Sequence, residues 1–210
     1  MITELEKIFT SIYDHPTGWG SSESKSGVGS ELNHTKRLRQ ELYFLFLKYK
    51  IKSIFDIPCG DFNWFCHMDL SEIDYIGGDI VKSLIESNQK KYPNHKFFNV
   101  DITKDDLIKS DLVITRDCLV HLSNKNILNA IENIKRSGSK YLLTTSFTKS
   151  CDNVDIEDGG WREINLMVKP FNLKPIYLIN EMCEVAYPYA TDKCMLLFDL
   201  QDLYNSYHAN

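Results

Sequence analysis

The chain has 210 residues, with 24 Lys and Arg against 29 Asp and Glu, a formal net charge of −5 and 43% hydrophobic residues. That is the length of one domain with enough apolar material for a sizeable core, which excludes a mostly disordered chain or a rod. The acidic balance speaks against a nucleic-acid partner, and no run approaches the roughly 18 apolar residues of a membrane span.

The chain opens on a helical pattern over residues 1–14, where Glu4 and Glu6 break the layout of a signal peptide, so a cytoplasmic location is expected. A Gly- and Ser-rich loop follows over 15–30, punctuated by Pro16 and Gly18 and carrying Trp19. Helical spacing returns over 31–50 through Leu38, Leu42, Leu45 and Phe46. From there, short apolar runs at 53–58, 75–80, 96–101, 111–115 and 140–146 alternate with amphipathic stretches at 62–67, 81–92 and 123–136. Such alternation predicts βαβ units and a mostly parallel sheet. The last runs, 175–181 and 194–200, are too close for a helical crossover and read as a hairpin. Tyr187 and Tyr189 fall in its turn, where they would rim a pocket. The expectation is an α/β chain with an N-terminal helical extension and lid loop over 1–50 and one compact unit over 51–210. The six scattered cysteines (Cys59, Cys66, Cys118, Cys151, Cys183 and Cys194) include no CxxC pair, which suggests neither a zinc nor a redox site, and most of them read as small buried thiols.

Ligands of doubly wound sheets bind at the carboxyl ends of strands, and an acidic residue stands at or beyond each of the first four ends: Asp56, Asp79, Asp101 and Asp117. Asp79 lies 79 − 60 = 19 residues after Gly60, the spacing that lets a carboxylate accept from ribose hydroxyls. The loop is not GxGxxG, and Pro58 and Asp61 stand where a pyrophosphate would need free N–H groups and no negative charge. Adenosine without phosphates fits better, pointing to S-adenosylmethionine (SAM) rather than NAD.

DIPCGDFNW, YIGGDIV, NVDIT and DLVITRDCLVHLS resemble, in order and spacing, the four motifs of class I SAM-dependent methyltransferases. GWGSSESKSGVGS and GGWREINLMVKPFNL are similar to segments of a small bacterial subfamily. The resemblance implies a Rossmann-like fold of seven strands, mostly parallel with the last antiparallel, and helices on both faces. It implies that Asp56, Pro58, Cys59 and Gly60 form the loop at the methionine end of SAM and that Asp79 holds the ribose. Ile80 would pack on the adenine, Asp101 would accept from its amino group, and the N–H of Ile102 would face a ring nitrogen. Arg116 would meet the cofactor carboxylate or an anionic substrate group, and Trp19 with Ser24, Ser26 and Gly27 would fold over the cofactor.

Transfer to a hydroxyl calls for a base, and His121 and Asp117 are both in position. Trp161, Arg162, Asn153 and Asp155 follow the fifth strand as candidate substrate contacts. Asp117, His121, Asp155 and Glu157 show no compact ligand spacing, so no metal is expected. By analogy with the family, the acceptor is a sugar or sugar nucleotide of surface-polysaccharide biosynthesis, methylated on oxygen. A protein side chain, a small amine and a non-catalytic SAM-binding module stay open as alternatives. The expected partners are a small-molecule substrate and a second copy of the chain, with no nucleic acid.

Overall fold

The computed structural model describes residues 2–15, 18–150, 152–181 and 192–207. Pro16, Cys151, Cys183, Tyr187 and Tyr189 lie outside the described residues. Helix α1, Glu4–Asp14, opens on a capping box in which Thr3 Oγ1 accepts the N–H of Glu6 and the Glu6 side chain accepts the N–H of Thr3. Helix α2, Leu32–Tyr49, ends at Lys50, whose φ of 53° closes it in the left-handed conformation. Strands β1, Ser53–Asp56, and β2, Asp74–Asp79, are followed by helix α3, Lys82–Lys91, then β3, Lys96–Asn99, and β4, Leu112–Thr115. Helix α4, Asn124–Arg136, leads to β5, Tyr141–Phe147, and the chain finishes with β6, Tyr177–Asn180, β7, Lys193–Asp199, and helix α5, Leu200–Tyr207.

The sheet order is β3-β2-β1-β4-β5-β7-β6. Neighbours from β3 to β5 run parallel, and β7 lies antiparallel to both β5 and β6. This is the Rossmann-like methyltransferase fold that the motifs imply. Alternate strand residues feed two cores. Phe55, Val113, Leu142 and Leu196 point to the face covered by α4 and α5. Ile54, Leu112, Ile114, Leu143 and Met195 point to the other, where Leu38, Leu42, Leu45 and Phe46 of α2 pack with Ile85 of α3. No helix among the described residues is long and apolar enough to cross a membrane.

Two expectations shift. The amphipathic stretch 62–67 is a single 3₁₀ turn, Phe65–His67, because Phe62 turns the backbone with a φ of 59°. The apolar run 194–200 hides a boundary: its last residue begins α5, where Asp199 Oδ1 accepts the N–H of Gln201 at 2.9 Å.

Candidate functional site

The strand order reverses between β1 and β4, the switch point at which open α/β sheets leave a crevice. A cavity of about 820 Å³ opens there, floored by the loops after β1, β2 and β4 and roofed by Phe9 and Tyr13 of α1 and by residues 25–30. Its floor begins at Asp56, a buried carboxyl that accepts from the Tyr75 hydroxyl at 2.7 Å. Burial pushes its pKa up to about 8, against the pull of that hydrogen bond.

Asp79 is also buried at the wall. Its two oxygens accept one backbone N–H each, from Val81 at 2.9 Å and Gly60 at 3.2 Å, so the carboxylate is aimed by its own loop and by the one beside it. Burial lifts it to about 6, although both N–H groups favour the charged form. Gly60 has a φ of +54°, and a Cβ there would collide with Ser26 Oγ. Asn88 on α3 holds the Gly60 carbonyl at 2.7 Å. Ile80, Val81, Val100, Ile102 and Leu122 add an apolar wall. Pro58, Cys59 and Cys118 line the cavity too. Burial first, then nearby carboxylates, pushes both thiols well above their ordinary pKa, which leaves neither as a thiolate. Asp101 is placed differently: its Oδ1 takes the N–H and O–H of Thr103 at 2.9 and 2.6 Å, and its neighbours Val100 and Ile102 reach the wall instead.

At the other end, Asp117 follows β4 with a φ of 52°. Its carboxylate accepts from Lys193 Nζ at 2.7 Å and from Thr145 Oγ1 at 3.2 Å, and Arg116 stands 3.2 Å away. Burial alone would raise its pKa, but the two cations overcome this and hold it well below the carboxylate range. Arg116 spans several elements, with Nη2 2.6 Å from Glu181 Oε2 and Nη1 2.8 Å from the carbonyl of Gly29. The resemblance sets Arg116 against the cofactor carboxylate or an anionic substrate group; it lines the cavity, with its guanidinium engaged by Glu181 and Asp117.

His121 closes a 3₁₀ turn, Leu119–His121, and lines the cavity. Its Nδ1 lies 2.7 Å from the carbonyl of Gly160. A carbonyl only accepts, so Nδ1 carries the hydrogen and Nε2 is the basic nitrogen of the neutral ring. Burial lowers its pKa below the usual 6.5, opposed by Gly160 and Asp117.

The segment after β5 divides in two. Trp161 and Glu163 line the cavity. Asn153, Asp155 and Arg162 turn to the frame: Asn153 Nδ2 binds the carbonyls of Asn165 and Lys169. Asp155 and Asp158 accept the first N–H groups of the α4 turn, from Asn124 and Ser123 at 2.7 Å each. Arg162 Nη1 binds the carbonyls of Leu119 and Val120, behind His121.

Residues 19–30 form a fastened strap. Ser24 Oγ donates to the Asp61 carboxylate at 3.0 Å, Lys25 N–H donates to it at 2.8 Å, and Asp61 N–H donates to Ser26 Oγ at 2.8 Å. Asp61, which spoils a pyrophosphate loop, is the clasp of this strap. Nothing in the local sequence marks that role, nor the place of Asn88, Tyr13 and Glu163 at the site. The Lys193–Asp117 pair joins residues 76 apart in the chain, and no local pattern marks it. Among the described residues no group of three His, Cys, Asp or Glu is placed to hold a metal ion.

No protein-family model matches the chain, and no curated protein matches its sequence. Solved structures share its fold. The methyltransferase domain of bacterial CtHen1 matches at 10% identity with a TM-score of 0.59, over 80% of this chain and all of that one. The N-methyltransferase NodS from Bradyrhizobium japonicum WM9 matches at 12% identity with a TM-score of 0.57, over 81% of this chain and 98% of that one. Magnesium protoporphyrin IX methyltransferase from Synechocystis PCC 6803 with bound SAM matches at 11% identity with a TM-score of 0.56, over 93% of this chain and 91% of that one.

Proposed function

We propose that the chain is a SAM-dependent methyltransferase that methylates a hydroxyl of a small polar acceptor, a sugar or sugar nucleotide of surface-polysaccharide assembly. The observation that carries this reading is one cavity at the switch point of a methyltransferase fold, with an aimed carboxylate, Asp79, and a tautomer-fixed imidazole, His121, on its wall. The residues suit SAM. Each oxygen of Asp79 keeps a lone pair for a ribose hydroxyl after accepting its N–H. Ile80, Val100 and Ile102 offer an apolar wall for an adenine ring. Pro58 lacks an N–H and Asp61 is spent on the strap, so the loop makes no pyrophosphate cradle.

SAM bound there supplies a methyl group on a positively charged sulfur. Asp56 and Gly60 would hold its amino-acid end, and the strap would keep water from the site. Nε2 of His121 takes the hydroxyl proton of the acceptor. Asp117, held ionised by Lys193 and Arg116, is a weak base and stabilises the imidazolium instead. Trp161 and Glu163 face the acceptor. Residues 51–210 carry the methyl-transfer sheet, and residues 1–50 supply a covering helix and the strap.

The test is calorimetric titration with S-adenosylhomocysteine, with NAD⁺ as control, followed by transfer of labelled methyl to sugars, sugar nucleotides, amines and peptides. Binding of S-adenosylhomocysteine alone, with label on a hydroxyl, is expected. Binding of NAD⁺ instead overturns the reading, and label on an amine or peptide changes the acceptor class.

A further inference from the structure

We propose that Trp19 is a positioning residue for His121: the strap lays its indole flat on the imidazole and thereby holds the base in its working orientation. This rests on reading His121 as the base. The two rings stack with centroids 4.1 Å apart and planes 27° from parallel. The ring edge is fixed separately, by Nδ1 on the Gly160 carbonyl at 2.7 Å. Edge and face together leave the imidazole little freedom to turn, and Nε2 remains for the acceptor. Phe9 of α1 backs the indole at 5.8 Å.

The strap itself decides where the indole stands. Asp61 clasps its middle through Ser24, Lys25 and Ser26. Arg116 holds the Gly29 carbonyl, and Glu23 accepts from Asn63 Nδ2 and from the N–H of Leu32, at 2.8 and 2.7 Å. Gly27 adopts a φ of +102° and passes close under Trp19, where a Cβ would meet its carbonyl oxygen at 3.0 Å. A tryptophan 40% exposed to solvent is thus held by a framework of charged and backbone hydrogen bonds. The groups that bias the imidazole charge come from other elements: Asp117 after β4, Lys193 on β7, and Arg162 after β5. In the proposal the indole, stacked on the ring, contributes to the burial that acts beside them.

The experiment is an NMR titration of the His121 imidazole in the full chain, comparing the native protein with Trp19→Ala and Trp19→Phe and assigning the resonance with His121→Asn. The native ring is expected to titrate below its ordinary value. Trp19→Ala should move the titration upward by about half a pH unit or more, through rehydration, and Trp19→Phe should keep the native value. Identical titrations in the native protein and Trp19→Ala overturn the proposal. In turnover with labelled SAM, Trp19→Ala should lower kcat by about tenfold to a hundredfold, raise the acid limb of the pH profile and leave the KM for SAM nearly unchanged. Trp19→Phe should recover most of kcat. A loss confined to the KM for SAM assigns the indole to the cofactor and also overturns the proposal. A shifted titration in a protein that transfers no methyl to any acceptor supports the clamp and sinks the methyl-transfer reading alone.

Discussion

Two buried carboxyls, Asp56 and Asp79, face the same cavity with pKa values raised to about 8 and about 6. Burial thus favours the protonated form of the first at neutral pH and leaves the second the more readily ionised of the two. A ligand ammonium held beside Asp56, as proposed, would lower its pKa and draw the proton off. Binding of S-adenosylhomocysteine at pH 7 should therefore release up to about one proton, measured as a dependence of binding enthalpy on the ionisation enthalpy of the buffer. Buffer-independent enthalpies would remove Asp56 from the ligand. In its proposed role Asp79 accepts both ribose hydroxyls when ionised, so affinity should rise as pH rises through about 6 and flatten above it. Asp79→Ala should weaken binding by roughly 1–3 kcal/mol, read by the same calorimetry. His121→Gln should lower turnover by about 10²–10⁴-fold with binding of S-adenosylhomocysteine retained; a loss below tenfold would reduce the ring to packing.

Among the elements, those with a strong period were legible in the sequence. Helices α2, α3 and α4 and all seven strands stand close to where apolar spacing places them. The 3₁₀ turn at Phe65–His67 and helix α5 were not: one follows a single left-handed residue, and the other has only 8 residues, the first of which, Leu200, ends the run read as the last strand. Acidic residues were legible as a set but not by duty. Asp79 reaches the cavity wall, Asp61 is a clasp and Asp155 a helix cap, since a carboxylate after a strand suits a ligand, a hydroxyl or a helix N-terminus equally well. Distant partners decide among these, and Ser24 meets Asp61 across 37 residues of sequence. At this scale Asp158 offers a clean test: it accepts from both Ser123 N–H and Asn126 Nδ2 at 2.7 Å. Asp158→Ala should cost about 1–2 kcal/mol, seen as a fall in Tm of about 2–8 °C in thermal unfolding. An unchanged Tm would mean that Ser123 alone secures the start of α4.

For the whole molecule, the cavity is where distant parts of the chain meet: α1, the strap, the ends of β1, β2 and β4, and the segment after β5 all contribute to it. A ligand there ties them together. S-adenosylhomocysteine at a hundredfold excess over its Kd should add about 2.7 kcal/mol of stability, which scanning calorimetry would record as a Tm raised by roughly 5–10 °C. The chain has three tryptophans, Trp19, Trp64 and Trp161, and all of them line that cavity. Its tryptophan emission, excited selectively over the 11 tyrosines, is therefore a signal from the site. Filling the cavity should dry the indoles and shift their emission, so ligands can be ranked by optical titration without label, and single Trp→Phe replacements separate the strap, the segment after β1 and the segment after β5 as three local reporters.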